Sequence, residues 1–379
     1  MAFITYFKNS TSQTQAKAQE AQESFWDSFE KMISGTIEET PPLITQEKNY
    51  QQTRTLTKPN TEIILRNKIP LPVATAPNNY HTFQIPKRTG GMRTITAPEP
   101  ELKAAQTEML KTLYKIQPAM HNSAYAYIPQ RSCYNALQRH QENNSKWFLK
   151  IDLKDFFPSC TKTFVKEQLK NLYPFCLYSP AELKPLFDLC FYKNALPQGA
   201  PTSPYLSNLV MIPIDYAINH TLYNYNRHHF VYTRYADDLL ISCNEKFDKD
   251  EILQVLHDIF KETPFKINTE KTRFGSISGR NWNLGLMLNK DNNITVGYRR
   301  KKYLKNNLHN FKRDLGARLI WPLESLYTLQ GELAYIKNTE PYYVTQNILP
   351  KYPNIEQQII DSIKLYTKPL ANIDELPIF

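Results

Sequence analysis

Three carboxylates stand where they could do chemistry. Asp237 and Asp238 join two apolar, β-rich runs, Phe230-Val231-Tyr232-Thr233-Arg234-Tyr235 and Leu239-Leu240-Ile241-Ser242-Cys243, at the tip of an expected tight hairpin. Adjacent acids set among Tyr, Val, Leu and Ile repel each other and lose hydration, and a polyvalent cation there would relieve both costs. Asp152 closes a second apolar run, Trp147-Phe148-Leu149-Lys150-Ile151, well upstream. Gathered on one sheet, the three acids could hold two Mg²⁺ ions, with Mn²⁺ as a substitute; such ions take oxygen ligands and keep positions open for phosphate oxygens. Ions so placed would activate a 3′-hydroxyl and stabilise a leaving pyrophosphate, which is nucleotidyl transfer.

Between these acids lies Leu196-Pro197-Gln198-Gly199-Ala200-Pro201-Thr202-Ser203-Pro204, leading into a helix through Tyr205, Leu206, Leu209 and Val210. A glycine beside an amide side chain lets a backbone approach a flat ligand closely, and the helix start would offer N–H groups to an anion. Singly, each element is ordinary: an acid at a strand end caps it, an acid pair makes a turn, and a proline-rich stretch is a loop. Their order along one chain gives them weight.

The elements that must position these residues follow from periodicity. Tyr80 to Ala97 alternates like two strands around Thr89-Gly90-Gly91, and Glu101 to Ile116 reads as a helix with Leu102, Leu110, Leu113 and Tyr114 as apolar positions. Residues 249–262 form another helix, with Ile252, Val255, Leu256, Ile259 and Phe260 facing inward. From Arg299 onward the pattern is helical and basic. Residues 1–60 are polar apart from one amphipathic helix, Ala16 to Ile33, and Gln46 to Asn60 reads as a linker.

A chain of 379 residues with 41% apolar content can build two or three packed units. Its formal charge of +10 suits an anionic partner. Five scattered cysteines form no C-x-x-C pair, which argues against a disulfide framework or a zinc site. The N-terminus lacks signal-peptide features and no run reaches the ~18 apolar residues of a membrane span, so a cytoplasmic protein is expected.

Five ordered motifs resemble the reverse transcriptase family, and within it the bacterial branch of retron, group II intron and defence-associated enzymes. They are Phe83-x-Ile85-Pro86-Lys87-Arg88 with Arg93, Ile151-Asp152-Leu153-Lys154-Asp155-Phe156-Phe157, Gln198-Gly199-x-x-Thr202-Ser203-Pro204, Tyr235-Ala236-Asp237-Asp238, and Asn268-x-x-Lys271-Thr272. The resemblance implies an α+β right-hand polymerase whose fingers and palm combine antiparallel sheet with helices, followed by a helical thumb. Residues 61–150 would be fingers, 151–297 palm with returning fingers segments, and 298–379 a basic thumb, after the polar extension 1–60.

By the same resemblance Asp152, Asp237 and Asp238 are the catalytic, metal-binding carboxylates, with the Leu153 carbonyl as a further ligand. Lys87 and Arg93 would hold the incoming triphosphate, Phe157 would exclude a 2′-hydroxyl, and Gln198 would line the nucleotide pocket. Lys271 would be either a general acid for pyrophosphate or a salt-bridging lysine. Leu284 and Gly285 resemble the turn that grips the primer end. Arg299, Arg300, Lys301 and Lys302 would track the duplex backbone without reading its sequence.

The chain departs from its relatives in two places. Arg131-Ser132-Cys133-Tyr134-Asn135-Ala136-Leu137 is closer to group II intron enzymes, whereas Asn135-Ala136 followed by His140 is similar to retron enzymes but one residue out of step. The Val-Thr-Gly triplet of retron enzymes has no match at Asn283-Leu284-Gly285. These departures imply a stand-alone antiphage-defence enzyme rather than a true retron. It would copy a partner non-coding RNA with deoxynucleotides into a DNA/RNA hybrid, as a homo-oligomer or beside an effector protein. Two other readings stay open: a template-independent or protein-primed DNA polymerase, which a resemblance to abortive-infection relatives implies, and a non-catalytic RNA-binding scaffold, against which the intact Asp152, Asp237 and Asp238 count.

Overall fold

A computed structural model describes residues 68–367 except 74–75, 88–89, 117, 119, 226–228, 280 and 282. The polar extension 1–60 and its expected helix lie outside the described residues, as does Arg88. In chain order the described elements begin with β1 (Tyr80–Pro86), β2 (Met92–Pro98), α1 (Pro100–Ile116), α2 (Cys133–Glu142), β3 (Trp147–Lys154) and α3 (Phe156–Ser159). Then come α4 (Lys162–Asn171), α5 (Pro180–Cys190), α6 (Ser203–Asn224), β4 (Val231–Tyr235), β5 (Asp238–Cys243), α7 (Lys249–Phe260), β6 (Lys266–Ile267) and β7 (Arg273–Ser276). The chain closes with β8 (Met287–Leu288), β9 (Ile294–Thr295), α8 (Tyr298–Gly316), α9 (Leu323–Thr339), α10 (Pro341–Asn347) and α11 (Ile355–Thr367).

The central sheet is antiparallel. β3 pairs with β5 on one side and with β6 and β7 on the other, and β4 lies outside β5. Period-two alternation divides the faces of β3 and β5. Leu149, Ile151, Leu153, Leu239 and Ile241 enter a large core with Leu206, Val210 and Leu256 of α6 and α7. Phe148 and Leu240, on the opposite face, join a second core built mainly from α8 to α11. Lys150, Asp152 and Asp238 occupy the open end of that opposite face, because Asp152 pairs directly with Asp238, and Lys150 with Leu240.

β3 runs two residues past Asp152, where its sequence pattern ends, because β6 supplies partners for Leu153 and Lys154. β1 and β2 form a separate hairpin that packs near α1 and touches the loop before α6. α6 is buried on nearly every side through Ile212, which weakens its amphipathic pattern in sequence. No helix among the described residues is long and apolar enough to cross a membrane.

Candidate active site

The acidic hairpin is as tight as its sequence suggests. Tyr235 pairs with Asp238, leaving Ala236 and Asp237 as a two-residue turn. The Asp237 carbonyl accepts a 3.0 Å hydrogen bond from the Leu153 N–H, which ties the turn to β3 beside Asp152. All three acids therefore converge from two strands, and the register of the sheet does the positioning.

Their side chains are compensated unequally. Lys271 donates to both oxygens of Asp152, at 2.9 and 3.1 Å, and the Asn268 amide adds a 3.3 Å bond to Asp152 Oδ2. The Asn268 backbone N–H also bonds the Asp152 carbonyl at 2.8 Å, so the loop after β6 latches Asp152 twice. Lys150 reaches Asp238 at 3.1 Å. Burial, followed by the charge of Asp238, pushes the Asp237 carboxyl up to about 6. An all-oxygen donor set holding one desolvated carboxylate suits a hard divalent cation. As they stand, with Asp152 and Asp238 drawn onto lysines, no three acidic, imidazole or thiol groups among the described residues form a closed ligand cluster.

Other expected site residues lie on the β1–β2 hairpin, on α3 and on the loop before α6. Lys87 and Arg93 are exposed on the β1–β2 hairpin, whose turn closes through the Lys87 N–H to the Gly91 carbonyl at 2.9 Å. Phe157 is half-buried on α3, edge-on to Phe156 with ring centroids 5.5 Å apart. The Gln198 carbonyl accepts from the Thr96 N–H at 2.8 Å, docking the loop onto β2.

Gly199 corrects the sequence reading. A Cβ there would lie 2.9 Å from both the Thr96 carbonyl oxygen and Ile95 Cγ2, so the close approach it permits is to the chain's own β2. The start of α6 is likewise closed to an anion, because Thr202 and Ser203 are buried and the Ser203 hydroxyl donates to the Pro197 carbonyl at 2.8 Å.

Residues 85–305 match the family described as Reverse transcriptase (RNA-dependent DNA polymerase). The retron Ec73 reverse transcriptase of Escherichia coli is 33% identical over 282 residues, covering 72% of this chain and 87% of its own. The chain belongs to the reverse transcriptase family. The retron Ec83 reverse transcriptase of Escherichia coli is 28% identical over 76% of this chain and 91% of its own, and the retron Mx162 enzyme of Myxococcus xanthus is 32% identical over 69% and 58%. A solved telomerase from Candida albicans overlaps 84% of this chain and 68% of its own at 13% identity, with a TM-score of 0.43, a loose overlap that adds nothing to the sequence match.

This reverse transcriptase is thus an RNA-directed DNA polymerase of the bacterial retron type, from a family that works with divalent metal ions. One-third identity to a retron enzyme across most of the chain stands beside the local departures at Asn135, His140 and Asn283-Leu284-Gly285. Structurally, His140 is a core strut: its ring nitrogens meet Ser242 Oγ at 2.5 Å and Thr233 Oγ1 at 2.8 Å, bridging β4 and β5.

The cations at the start of α8 also sort themselves. Arg300 forms a two-pronged pair with Glu332, at 2.8 Å for each prong, and stacks 4.1 Å over Tyr335, while Lys301 pairs with Glu340 at 2.5 Å. These two brace the helices. Arg299 and Lys302 remain exposed, and no carboxylate among the described residues pairs with either. Leu284 and Gly285 both have positive φ, +53° and +84°, within a turn closed by reciprocal Asn283–Leu286 bonds. A leucine held left-handed is strained, and such strain concentrates where a side chain must be presented in one direction.

Sequence reasoning missed Tyr127. Its φ is +59°, and its hydroxyl feels both the Asp237 carboxylate, which raises its pKa after burial does, and Arg93, which opposes that rise. Its hydroxyl is thus within electrostatic reach of both Asp237 and Arg93. Only its place in the Tyr125-Ala126-Tyr127 repeat could have marked it.

Proposed function

We propose that this enzyme copies a partner non-coding RNA into DNA, and that Asp152, Asp237 and Asp238 form the centre at which deoxynucleotides are joined. The observation carrying this reading is the direct pairing of Asp152 with Asp238 beside the turn bearing Asp237. Two Mg²⁺ ions, or Mn²⁺, when bound to those carboxylates would neutralise the triphosphate and favour attack by a 3′-hydroxyl. Lys87 and Arg93 would hold the triphosphate from the hairpin opposite, and an Arg there suits two-pronged phosphate contact. Phe157 would sit against the sugar, and Gln198 would border the base.

The template is supported by a separate feature. A hollow of about 460 Å³ opens beside Tyr127, lined by Tyr114, Arg131, Pro201, Pro204 and Tyr205. Aromatic rings beside a cation suit unstacked bases of a single strand. The thumb's Arg299 and Lys302 and the strained Leu284-Gly285 turn would contact the DNA/RNA hybrid. In this reading the RNA is a dedicated one, and the product would serve antiphage defence.

The test is incorporation of labelled dNTPs by the full chain, with the RNA and DNA that copurify with it sequenced. Asp237→Asn should abolish incorporation, and unchanged incorporation would reject the reading. Product DNA covalently attached to protein would point instead to protein priming.

A further inference from the structure

Arg234 stands three residues before Asp237, yet its side chain has no solvent exposure, and neither does that of its partner Asp215. Arg234 Nε and Nη2 donate to Asp215 Oδ1 and Oδ2 at 2.8 and 2.7 Å, a two-pronged pair that fixes the plane of the guanidinium. Nη1 then donates in two directions, to Asn208 Oδ1 at 3.0 Å and to the Ala236 carbonyl at 3.3 Å. Asp215 and Asn208 both lie on α6, and the Tyr232 hydroxyl adds a 2.7 Å bond to Asp215. The Arg234 backbone is held as well: its N–H donates to the Ser123 carbonyl at 2.6 Å, and its carbonyl accepts from Tyr125 at 2.8 Å.

Stability alone does not explain such a network. A buried ion pair gains little over a well-packed apolar pair of the same volume, because desolvation offsets the attraction. What the guanidinium does that an apolar side chain could not is grip the Ala236 carbonyl. Ala236 has φ +57°, a left-handed conformation that costs a non-glycine residue roughly 1–2 kcal/mol and persists only where the surroundings over-determine it. The next residue is Asp237.

We propose that Arg234 is a positioning residue that locks the Ala236–Asp237 turn to α6, and so sets the direction in which the Asp237 carboxylate meets a divalent cation. The inference rests on the reading of Asp237 as a cation ligand. A lysine cannot replace the arginine, since one ammonium cannot reach both Asp215 oxygens, Asn208 and Ala236 in fixed directions. Cation ligands tolerate only about 0.5 Å of misplacement, so loss of the clamp should weaken metal binding while the nucleotide pocket stays intact.

The experiment uses the full chain, with Mn²⁺ titrated by electron paramagnetic resonance and single-nucleotide incorporation measured in parallel. Arg234→Lys should weaken Mn²⁺ binding about 10- to 100-fold and lower kcat by a similar factor. The KM for dNTP should stay within about threefold, because the lost interaction is not with the nucleotide. Wild-type Mn²⁺ affinity in folded R234K overturns the proposal. If R234K does not fold, Arg234→Met with Asp215→Leu preserves core volume: weakened Mn²⁺ binding in this pair supports the clamp, and wild-type binding rejects it. Failure of both variants to fold also rejects it, since the pair would then be a folding element. Asp237→Asn separates the two readings: if it leaves Mn²⁺ binding intact, the cation site is wrong whatever Arg234 does.

Discussion

Lys271 holds both carboxylate oxygens of Asp152, its ammonium 2.9 and 3.1 Å away, so the lysine and a divalent cation would compete for the same atoms. The lysine is 62% exposed, and the bond is accordingly weak, on the order of 1 kcal/mol or less. Lys271→Met should therefore tighten Mn²⁺ binding about two- to fivefold, read by direct titration of the purified protein. If Lys271 also protonates pyrophosphate, the same variant will flatten the alkaline limb of the kcat–pH profile. Unaltered Mn²⁺ affinity would show that the ion pair does not contribute to the site.

The docking of the β1–β2 hairpin depends on Gly199. Gly199→Ala must push its methyl into the Thr96 carbonyl, 2.9 Å away, while holding φ near +134°. Each effect strains an L-residue, and together they should cost about 2 kcal/mol or more locally. The expected outcome is a hairpin that loosens from the loop bearing Gln198, raising the KM for dNTP more than it lowers the thermal midpoint. Hydrogen exchange at the Thr96 amide, which bonds the Gln198 carbonyl at 2.8 Å, would report the undocking directly. A variant with native protection at Thr96 and native KM would disprove the link.

The acids were legible in the sequence because their signal is local: alternation places Asp152 and Asp238 on one face, and a two-residue turn places Asp237 beside them. What surrounds them was not, because it depends on long-range pairing. Lys150 reads as an interruption of an apolar strand, and only the β3–β5 register puts it against Asp238. Arg234 reads as one more basic residue in a strand, and only the burial of Asp215 on α6 reveals its partner. The basic run from Arg299 to Lys302 suggests one role in sequence, whereas helical geometry divides it: two cations face neighbouring helices and two face outward.

That division can be measured. If Arg299 and Lys302 contact phosphates, replacing either with alanine should reduce the slope of log affinity against log salt by about 0.7 to 0.9 for a primed template. Arg300→Ala should leave that slope unchanged and instead destabilise the α8–α9 packing by about 1–3 kcal/mol, since it strands the half-buried Glu332 carboxylate. Filter binding at several salt concentrations and urea unfolding separate the two effects. Parent-like slopes for all three variants would mean that this face of α8 does not track the duplex.

His140 gives the fold a pH dependence of predictable sign. Full burial pushes its pKa from the ordinary 6.5 down to about 3, so the folded chain resists a proton that the unfolded chain accepts. Its contribution to stability is therefore whole above pH 6.5 and is lost as pH falls from there towards 3, about 3 kcal/mol of it by pH 4. Protonation would also disrupt the bonds to Ser242 and Thr233, and with them the strut across the strands that carry the Asp237 turn. His140→Gln cannot titrate, and comparing it with the parent cancels every other ionisable group. It should be less stable than the parent at pH 7, by about 1–3 kcal/mol for imperfectly satisfied hydroxyls. At pH 4 it should be as stable or more so, because the parent alone bears the cost of keeping a buried imidazole neutral. Urea midpoints at the two pH values decide it: a stability gap that stays constant would mean that His140 carries no proton-linked strain.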